Sequence, residues 1–288
     1  MPELPEVETV RLQLLHKVVG KIIKKISIHN AKTVEHDLDF ENKLKGKAIA
    51  NIDRIGKLLI FSFADSPDLF LLAHLKMTGQ FFYVDAKGNI IGGGHSQSVN
   101  DSKKLPNSHT RVSYHFSDKS TLHFNDMRIF GYTKLTTASG LALAKARFGP
   151  EPIHEDFDVK AFTAKLKRRK TPIKAALLDQ TFIAGLGNIY VDEALYSAGV
   201  RPTRRADKVT KSEATAIAAS AGTIMNAAIK VGGTTFQHFA DTDGNAGNYT
   251  NYLQVFGKQN TPCSRCGTSI LKTRVAGRGT HYCPKCQK

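Results

Sequence analysis

The chain has 288 residues, 41% of them hydrophobic, which is enough for two domains with ordinary buried cores and excludes global disorder. Its 41 Lys and Arg against 25 Asp and Glu leave a formal net charge of +16, an excess that a merely solvated surface does not need and that points to a polyanionic partner. No stretch reaches the roughly 18 consecutive apolar residues of a spanning helix, and Glu3, Glu6 and Glu8 interrupt any secretory pattern at the start. An anionic membrane is the competing partner, but no polybasic amphipathic segment flanks an apolar anchor. All four cysteines fall in the last 26 residues, which fits a reducing cytosol.

A helix is predicted over residues 5–19: Pro5 suits its first turn, Glu6 and Glu8 favour the positive end of its dipole, and Gly20 closes it. Val7, Val10, Leu14 and Val18 form its apolar stripe. Leu4 is a poor N-cap, so the helix start is expected to depend on tertiary contacts. Strand patterns follow at 49–63, 69–84, 112–116 and 121–124, with Ser117-Asp118-Lys119-Ser120 as a hairpin turn and 85–108, rich in Gly, Ser, Asn and Lys, as a mobile surface loop. This half reads as a β-sandwich with a leading helix.

The character changes around Phe148-Gly149-Pro150-Glu151-Pro152, after which helices dominate. Thr171-Pro172 reads as an N-cap followed by a first-turn proline, opening a helix to about Asp179. Gly185-Leu186-Gly187-Asn188 lets the backbone turn sharply before another helix, with Asn188 as its cap; such a helix start suits a phosphate, although taken without context a purely structural cap is the better reading. Thr210-x-x-Glu213 is a capping box whose helix ends at Gly232-Gly233. The fold class is therefore α+β in two domains, divided as 1–134, a hinge at 135–157, 158–253, and a terminal module at 254–288.

That module carries Cys263-x-x-Cys266 and Cys283-x-x-Cys286, the spacing of a structural four-thiolate zinc site with a β-hairpin between its knuckles. One structural zinc is expected, with no open position for catalysis. Residues 254–288 hold seven Lys or Arg and no acid, as do residues 160–174, where Arg168-Arg169-Lys170 precedes a helix. Gly277-Arg278-Gly279 sets an arginine at a tight turn, where a solvated side chain is the bland alternative. At the other end, removal of Met1 would expose the secondary amine of Pro2. A terminal amine titrates near 7.7–8.0, so a neutral fraction exists at physiological pH, and its attack on an aldehyde-level carbon gives a cationic iminium that favours elimination. Glu3 stands beside it to exchange protons.

Pro2-Glu3-Leu4-Pro5-Glu6-Val7-Glu8-Thr9, Gly56-Lys57, His74-Leu75-x-Met77-x-Gly79, Arg128-x-Phe130-Gly131, Gly185-x-Gly187-Asn188-Ile189-Tyr190 and the final Cys283-Pro284-Lys285-Cys286 follow one another in an order that resembles the bacterial formamidopyrimidine-DNA glycosylases, repair enzymes for 8-oxoguanine and ring-opened purines. The resemblance spans nearly the whole chain. It implies an N-terminal β-sandwich, a helical domain with a helix-two-turn-helix, and a zinc-finger hairpin, acting on damaged double-stranded DNA in the bacterial cytoplasm as a monomer with no obligate protein partner. By it, Pro2 is the nucleophile at C1′, Glu3 a proton donor or shuttle, Lys57 an aid to β-elimination and a phosphate contact, and Arg278 the finger-tip arginine implicated in δ-elimination. His74, His109, Arg169, Lys174 and Asn188 match DNA contacts. Met77, Arg128 and Phe130 match the side chains that fill the hole left by an everted base, with Arg128 facing the orphan cytosine. The stretch 242–250 resembles a loop covering that base.

Ile55, Lys76, Arg111 and Met127 depart from the family pattern and bear on substrate preference and opposite-base discrimination. Two other functions compete: the sister endonuclease VIII activity on oxidised pyrimidines, which usually lacks this Met, Arg and Phe set, and a non-catalytic zinc-ribbon protein that binds nucleic acid. The second gives no reason for a processed Pro2.

Overall fold

A computed structural model describes residues 2–95, 104–234, 239–240 and 248–288. The chain divides into two compact units, the first running to Ala146 and taking in Val231–Thr250, the second formed by Arg147–Lys230 and Asn251–Lys288. No helix among the described residues is long and apolar enough to cross a membrane.

The first unit opens with α1 (Leu4–Val18), β1 (Ile23–Ile28) and α2 (Phe40–Leu44), then β2 (Ile49–Ile55), β3 (Leu58–Phe63), β4 (Ser66–His74), β5 (Gly79–Val84) and β6 (Ile90–His95). It continues with β7 (Thr110–Phe116), β8 (Thr121–Asp126), β9 (Tyr132–Thr136) and α3 (Ala138–Lys145). Two antiparallel sheets result, β2-β3-β4-β9 and a six-stranded sheet ordered β1-β7-β8-β5-β6 and closed by a two-residue β10 (Phe239–Ala240). Alternation along the strands puts Phe61, Phe63 and Leu71 of one sheet against Phe81, Phe116 and Phe124 of the other, with the Phe61 and Phe81 rings 6.0 Å apart, and α1 adds its predicted stripe of Val7, Val10, Leu14 and Val18 to the same core. Each fully buried side chain of this size stabilises the unit by roughly 1.5–3 kcal/mol.

Two readings of this half change. The segment expected to be a loop from 85 to 108 contains β6, whose Gly92, Gly93 and Gly94 pair with Phe82, Phe81 and Gln80. Glycine carries no strand propensity of its own, so this strand is made by its partner; residues 96–103 of the segment lie outside the described residues. The cap of α1 is Glu3, which forms a capping box with Glu6. The expected tertiary contact exists as well: Glu6 Oε1 accepts Thr234 N at 2.8 Å.

The second unit holds α4 (Val159–Leu166), α5 (Ile173–Leu178), α6 (Asn188–Ser197) and α7 (Lys211–Lys230), then a hairpin of β11 (Leu271–Val275) and β12 (Arg278–Tyr282). The Thr210–Glu213 capping box is present, with Thr210 N donating to Glu213 at 2.8 Å and Glu213 N to Thr210 Oγ1 at 3.2 Å. Neither other predicted cap holds. The residue before α5 is Pro172, and the first free amides of that helix, on Ile173 and Lys174, donate to the carbonyls of Arg204 and Pro202 instead of to a Thr171 hydroxyl. Gly187 caps α6, which moves Asn188 to the first helical position and frees its side chain.

On the outer face of the six-stranded sheet lies a histidine ladder. His29 Nε2 meets Ser113 Oγ at 2.9 Å, Ser113 Oγ meets His123 Nδ1 at 2.8 Å, and His115 joins Ser27 at 3.1 Å and Thr121 at 3.2 Å. Burial, then the neighbouring His115 and His29, push His123 down to about 4. His115 is lowered by burial, Lys25 and His29, against an opposing pull from Glu41, and His29 is lowered by burial and Arg111. The folded state thus prefers neutral rings. Between an unfolded value near 6.5 and the folded value the unfolded chain binds more protons, so stability falls as pH drops through that window. At pH 5, His123 alone accounts for on the order of 2 kcal/mol of that loss. Thermal melting at pH 7.5 and pH 5 is expected to show a smaller acid decrement for His123→Gln than for the parent chain; an equal decrement would remove His123 from the account.

Candidate functional site

Pro2 and Glu3 are buried at the start of α1. Glu6 makes that start rigid, because one carboxylate oxygen accepts Glu3 N at 2.8 Å while the other accepts Thr234 N. Gly233, at φ 84°, passes so close to this carboxylate that a Cβ there would sit 2.9 Å from Glu6 Oε1. Pro2 and Glu3 therefore belong to a packed, hydrogen-bonded element. The stretch 242–247 of the expected covering loop lies outside the described residues.

Lys57 occupies the two-residue turn between β2 and β3, where Ile55 pairs with Leu58 and Gly56 takes φ 55°. The lysine is only 7% exposed. His74 closes β4, and its Nδ1 accepts Lys76 N at 3.0 Å. Burial, then the charges of Lys76 and Lys57, push His74 down to about 3. It is a neutral ring at working pH, and with Nδ1 an acceptor its proton resides on Nε2, ready to donate to an anionic oxygen.

Asp126, which the sequence reading missed, builds the loop that carries Arg128 and Phe130. This carboxylate is 1% exposed; it accepts Arg128 N at 3.2 Å, Phe130 N at 2.8 Å and Gly131 N at 2.6 Å, and it bonds the Thr78 hydroxyl next to Met77. Three amides on one carboxylate hold Ile129 at φ 55°, a conformation that a β-branched residue adopts only when its surroundings impose it. Gly131 is needed there, since a Cβ would lie 2.9 Å from the Phe124 ring. The outcome is an aromatic ring held outward: Phe130 is 51% exposed, with the Arg128 guanidinium 4.7 Å from its centroid. A core role for Phe130 is thereby excluded. His109 and Arg111 brace the same strand end, the His109 carbonyl accepting Asp126 N at 2.9 Å and Arg111 Nε donating to Asp126 O at 2.7 Å.

In the second unit the β11–β12 turn consists of Ala276 and Gly277, both at positive φ, and Arg278 follows as the exposed first residue of β12. Asn188 Nδ2 donates to Gly279 O at 2.9 Å, tying the start of α6 to this strand. Arg169 is half-buried, ion-paired with Asp179 at 2.7 Å and stacked 4.6 Å from the Phe182 ring. Lys174 requires a correction. Grouped with the DNA contacts by the resemblance, it is fully buried, with Nζ 2.6 Å from Asp192 and 3.1 Å from Gly279 O. Asp192 in turn accepts His281 N at 2.8 Å. Lys174 is a buttress of the finger strand and not a surface cation.

The four cysteine sulfurs lie within 4.8 Å of one another, with Cys263 and Cys286 3.9 Å apart and Cys266 and Cys283 3.5 Å apart. A tetrahedral zinc with sulfurs at 2.3 Å would space them by about 3.8 Å, so the thiolates fit one structural zinc. Glu193 feeds the chain into this module, accepting Gln254, Val255 and Phe256 N at 2.8, 2.9 and 2.8 Å. Gln180 likewise clamps the turn before α6, accepting Gly185 N at 2.9 Å and donating to Leu186 O at 2.8 Å. One visible signal could have found the buried acids, namely the adjacent Asp192 and Glu193 on a helix otherwise lined by Tyr190, Val191, Ala194 and Leu195.

Three family models match the chain: the formamidopyrimidine-DNA glycosylase N-terminal domain over residues 1–133, the H2TH domain of the same enzymes over 148–240, and the zinc finger found in FPG and IleRS over 261–288. Among curated relatives, the formamidopyrimidine-DNA glycosylase of Streptococcus pneumoniae is 39% identical and that of Ligilactobacillus salivarius 40% identical, each over 291 aligned residues covering 100% of this chain and 99% of the relative. Among solved structures, Lactococcus lactis Fpg bound to DNA containing an abasic site matches with TM-score 0.86, and a mutant of that protein bound to Fapy-dG DNA matches with TM-score 0.87. Both are 37% identical, with full coverage of both chains.

If Lys174 is a buttress, Lys174→Ala leaves Asp192 buried and unpaired and is expected to cost about 3–5 kcal/mol of stability. A surface phosphate contact would instead leave melting unchanged and reduce only the salt slope of DNA binding. For the metal, one zinc per chain is expected by elemental analysis, with Cys283→Ala releasing it and loosening the Arg278 hairpin.

Proposed function

The chain belongs to the formamidopyrimidine-DNA glycosylase family, and from that membership we propose that it is a bifunctional base-excision enzyme removing oxidised purines, 8-oxoguanine and formamidopyrimidines, from bacterial cytoplasmic DNA. The observation that carries the proposal is the packed start of α1, where Pro2 and Glu3 are buried and the backbone is held by Glu6.

With Met1 removed, the Pro2 nitrogen attacks C1′ of the damaged nucleotide as the glycosidic C–N bond breaks and the base leaves with a proton. Glu3 is positioned to exchange protons at this stage. The C1′–O4′ bond of the resulting aminal then breaks as O4′ takes a proton, and the open-chain iminium is cationic whatever the pH, because a secondary amine leaves no proton to lose. It draws electrons from C2′, so loss of a C2′ proton expels the 3′ phosphate by β-elimination. A second elimination, with loss of the C4′ proton, expels the 5′ phosphate, and hydrolysis of the iminium then regenerates the amine. Lys57 assists the first elimination and Arg278 the second, each as a cation near a departing phosphate. His74 contributes a neutral Nε2–H donor to backbone phosphate, and Asn188, His109 and Arg169 add further DNA contacts.

The outward Phe130, the Arg128 stacked on it and the neighbouring Met77 support base eversion, since a vacated stack needs an apolar filler and a partner for the orphan cytosine. The same trio favours this reading over excision of oxidised pyrimidines. In this reading 1–134, 158–253 and 254–288, joined by a hinge at 135–157, divide the work into catalysis, grip and finger, with 231–250 grouped by its contacts with the first unit.

Borohydride trapping on an 8-oxoguanine:cytosine duplex, with mass mapping of the adduct, is expected to locate the bond at Pro2. Pro2→Gly replaces the obligate iminium by a deprotonatable imine and frees the chain end, and trapping is expected to fall on the order of 100-fold. An adduct mapped to a lysine would overturn the nucleophile assignment.

A further inference from the structure

Glu8 lies on α1, far in sequence from Lys57, yet a chain of hydrogen bonds runs from it to Gly56, the residue before Lys57. Arg54 Nε donates to Glu8 Oε2 at 2.7 Å, and Arg54 Nη1 donates to Gly56 O at 2.9 Å. The Arg54 side chain is 6% exposed and that of Glu8 13%. On the other side of the carboxylate, Arg11 Nη2 bonds Glu8 Oε1 at 2.6 Å and Arg11 Nη1 bonds Ile52 O at 3.1 Å. Both arginines therefore use one carboxylate to reach backbone carbonyls of β2 and its turn. Although burial raises the Glu8 carboxyl, Arg11 and Arg54 outweigh it and hold the group below its usual range, so it is ionised at neutral pH.

The geometric consequence falls on Lys57. Gly56 has the freedom of glycine at φ 55°, and a hairpin turn built on it alone would rock. Pinning its carbonyl fixes the plane of the peptide between Gly56 and Lys57, and with it the direction in which the Lys57 side chain leaves the backbone. Because Glu8 sits on the helix that Glu3 caps, the same rigid element holds the nucleophile end and the lysine turn.

We propose that the Glu8–Arg54 pair is a positioning device for Lys57, setting its ammonium for the elimination step without touching DNA. This rests on the reading of Lys57 given above. The test is a double-mutant cycle on a duplex carrying a pre-formed abasic site, following strand scission in single turnover. Arg54→Lys retains the charge but lacks the fork needed to span Glu8 and Gly56 O, and scission is expected to slow about 10-fold or more. Lys57→Ala slows it too, and adding Arg54→Lys to Lys57→Ala is expected to change nothing further. Losses that multiply in the double variant, or no loss in Arg54→Lys, overturn the positioning role. Full scission by Lys57→Ala alone overturns the reading of Lys57 itself. Glu8→Gln/Arg54→Met, which removes both charges of the pair and leaves Arg11 its solvent exposure and its bond to Ile52 O, serves as the second variant; with native melting, it is expected to reproduce the Arg54→Lys loss in the Lys57 background and none in Lys57→Ala.

Discussion

A backbone carbonyl of a glycine, held by a buried cation whose own charge is balanced by a buried carboxylate, adjoins each of the two proposed catalytic cations. In the first unit Gly56 O is held by Arg54, itself paired with Glu8, and the next residue is Lys57. In the second, Gly279 O is held by Lys174, itself paired with Asp192, and by Asn188; the preceding residue is Arg278. The two arrangements share no sequence motif. Their common logic is that a long flexible cation sits next to a backbone carbonyl held by a buried ion pair. Such a pair carries a penalty for desolvating two charges, and breaking one partner costs more than removing both. The buried ion pair therefore serves geometry more than stability.

Carboxylates do the same for loops by collecting amides. Asp126 gathers three N–H groups and a hydroxyl to hold the Arg128–Phe130 loop open, Glu193 gathers three to lead into the zinc module, and Glu6 takes one from each of two segments at the chain start. Hydrogen bonds to a charged acceptor are shorter and stronger than neutral ones. A chain with so few acids and so large a cationic excess thus keeps several of them away from solvent, as internal fasteners of functional loops.

Much of the fold and the site is legible in the sequence because it rests on local rules. The helix stripe of Val7, Val10, Leu14 and Val18, the Thr210–Glu213 capping box, the cysteine spacing and the hairpin at Ser117-Asp118-Lys119-Ser120 each need only neighbouring residues to be recognised. What escapes the reading depends on distant partners. Strand β6 is glycine-rich and exists through pairing with β5; Thr171 loses its cap because the carbonyls of Pro202 and Arg204 reach the amides first; Lys174 looks like one more cation in a basic run until Asp192 meets it 18 positions away. Asp126, Gln180 and Glu8 look like surface polar residues for the same reason. Their roles are set by which backbone groups arrive beside them, and composition does not encode that.

The residues that depart from the family pattern fall where these fasteners hold the backbone. Ile55 sits between Arg54 and the pinned Gly56; Met127, 44% exposed, sits between Asp126 and the amide of Arg128 that Asp126 accepts; Lys76 presents its own amide to His74 Nδ1. At each of these positions the main-chain path is secured by a neighbour, so the side chain is free to vary without moving Lys57, Arg128 or His74. What does change is the local field. Lys76 adds a cation beside His74, contributing to the fall of that ring to about 3, whereas Arg111 uses its guanidinium on the Asp126 carbonyl. A small neutral residue at position 76 would remove that contribution and leave burial, the larger cause, to keep the His74 ring neutral. Arg111 differs from the other three, because its own guanidinium is one of the fasteners that hold the Asp126 backbone.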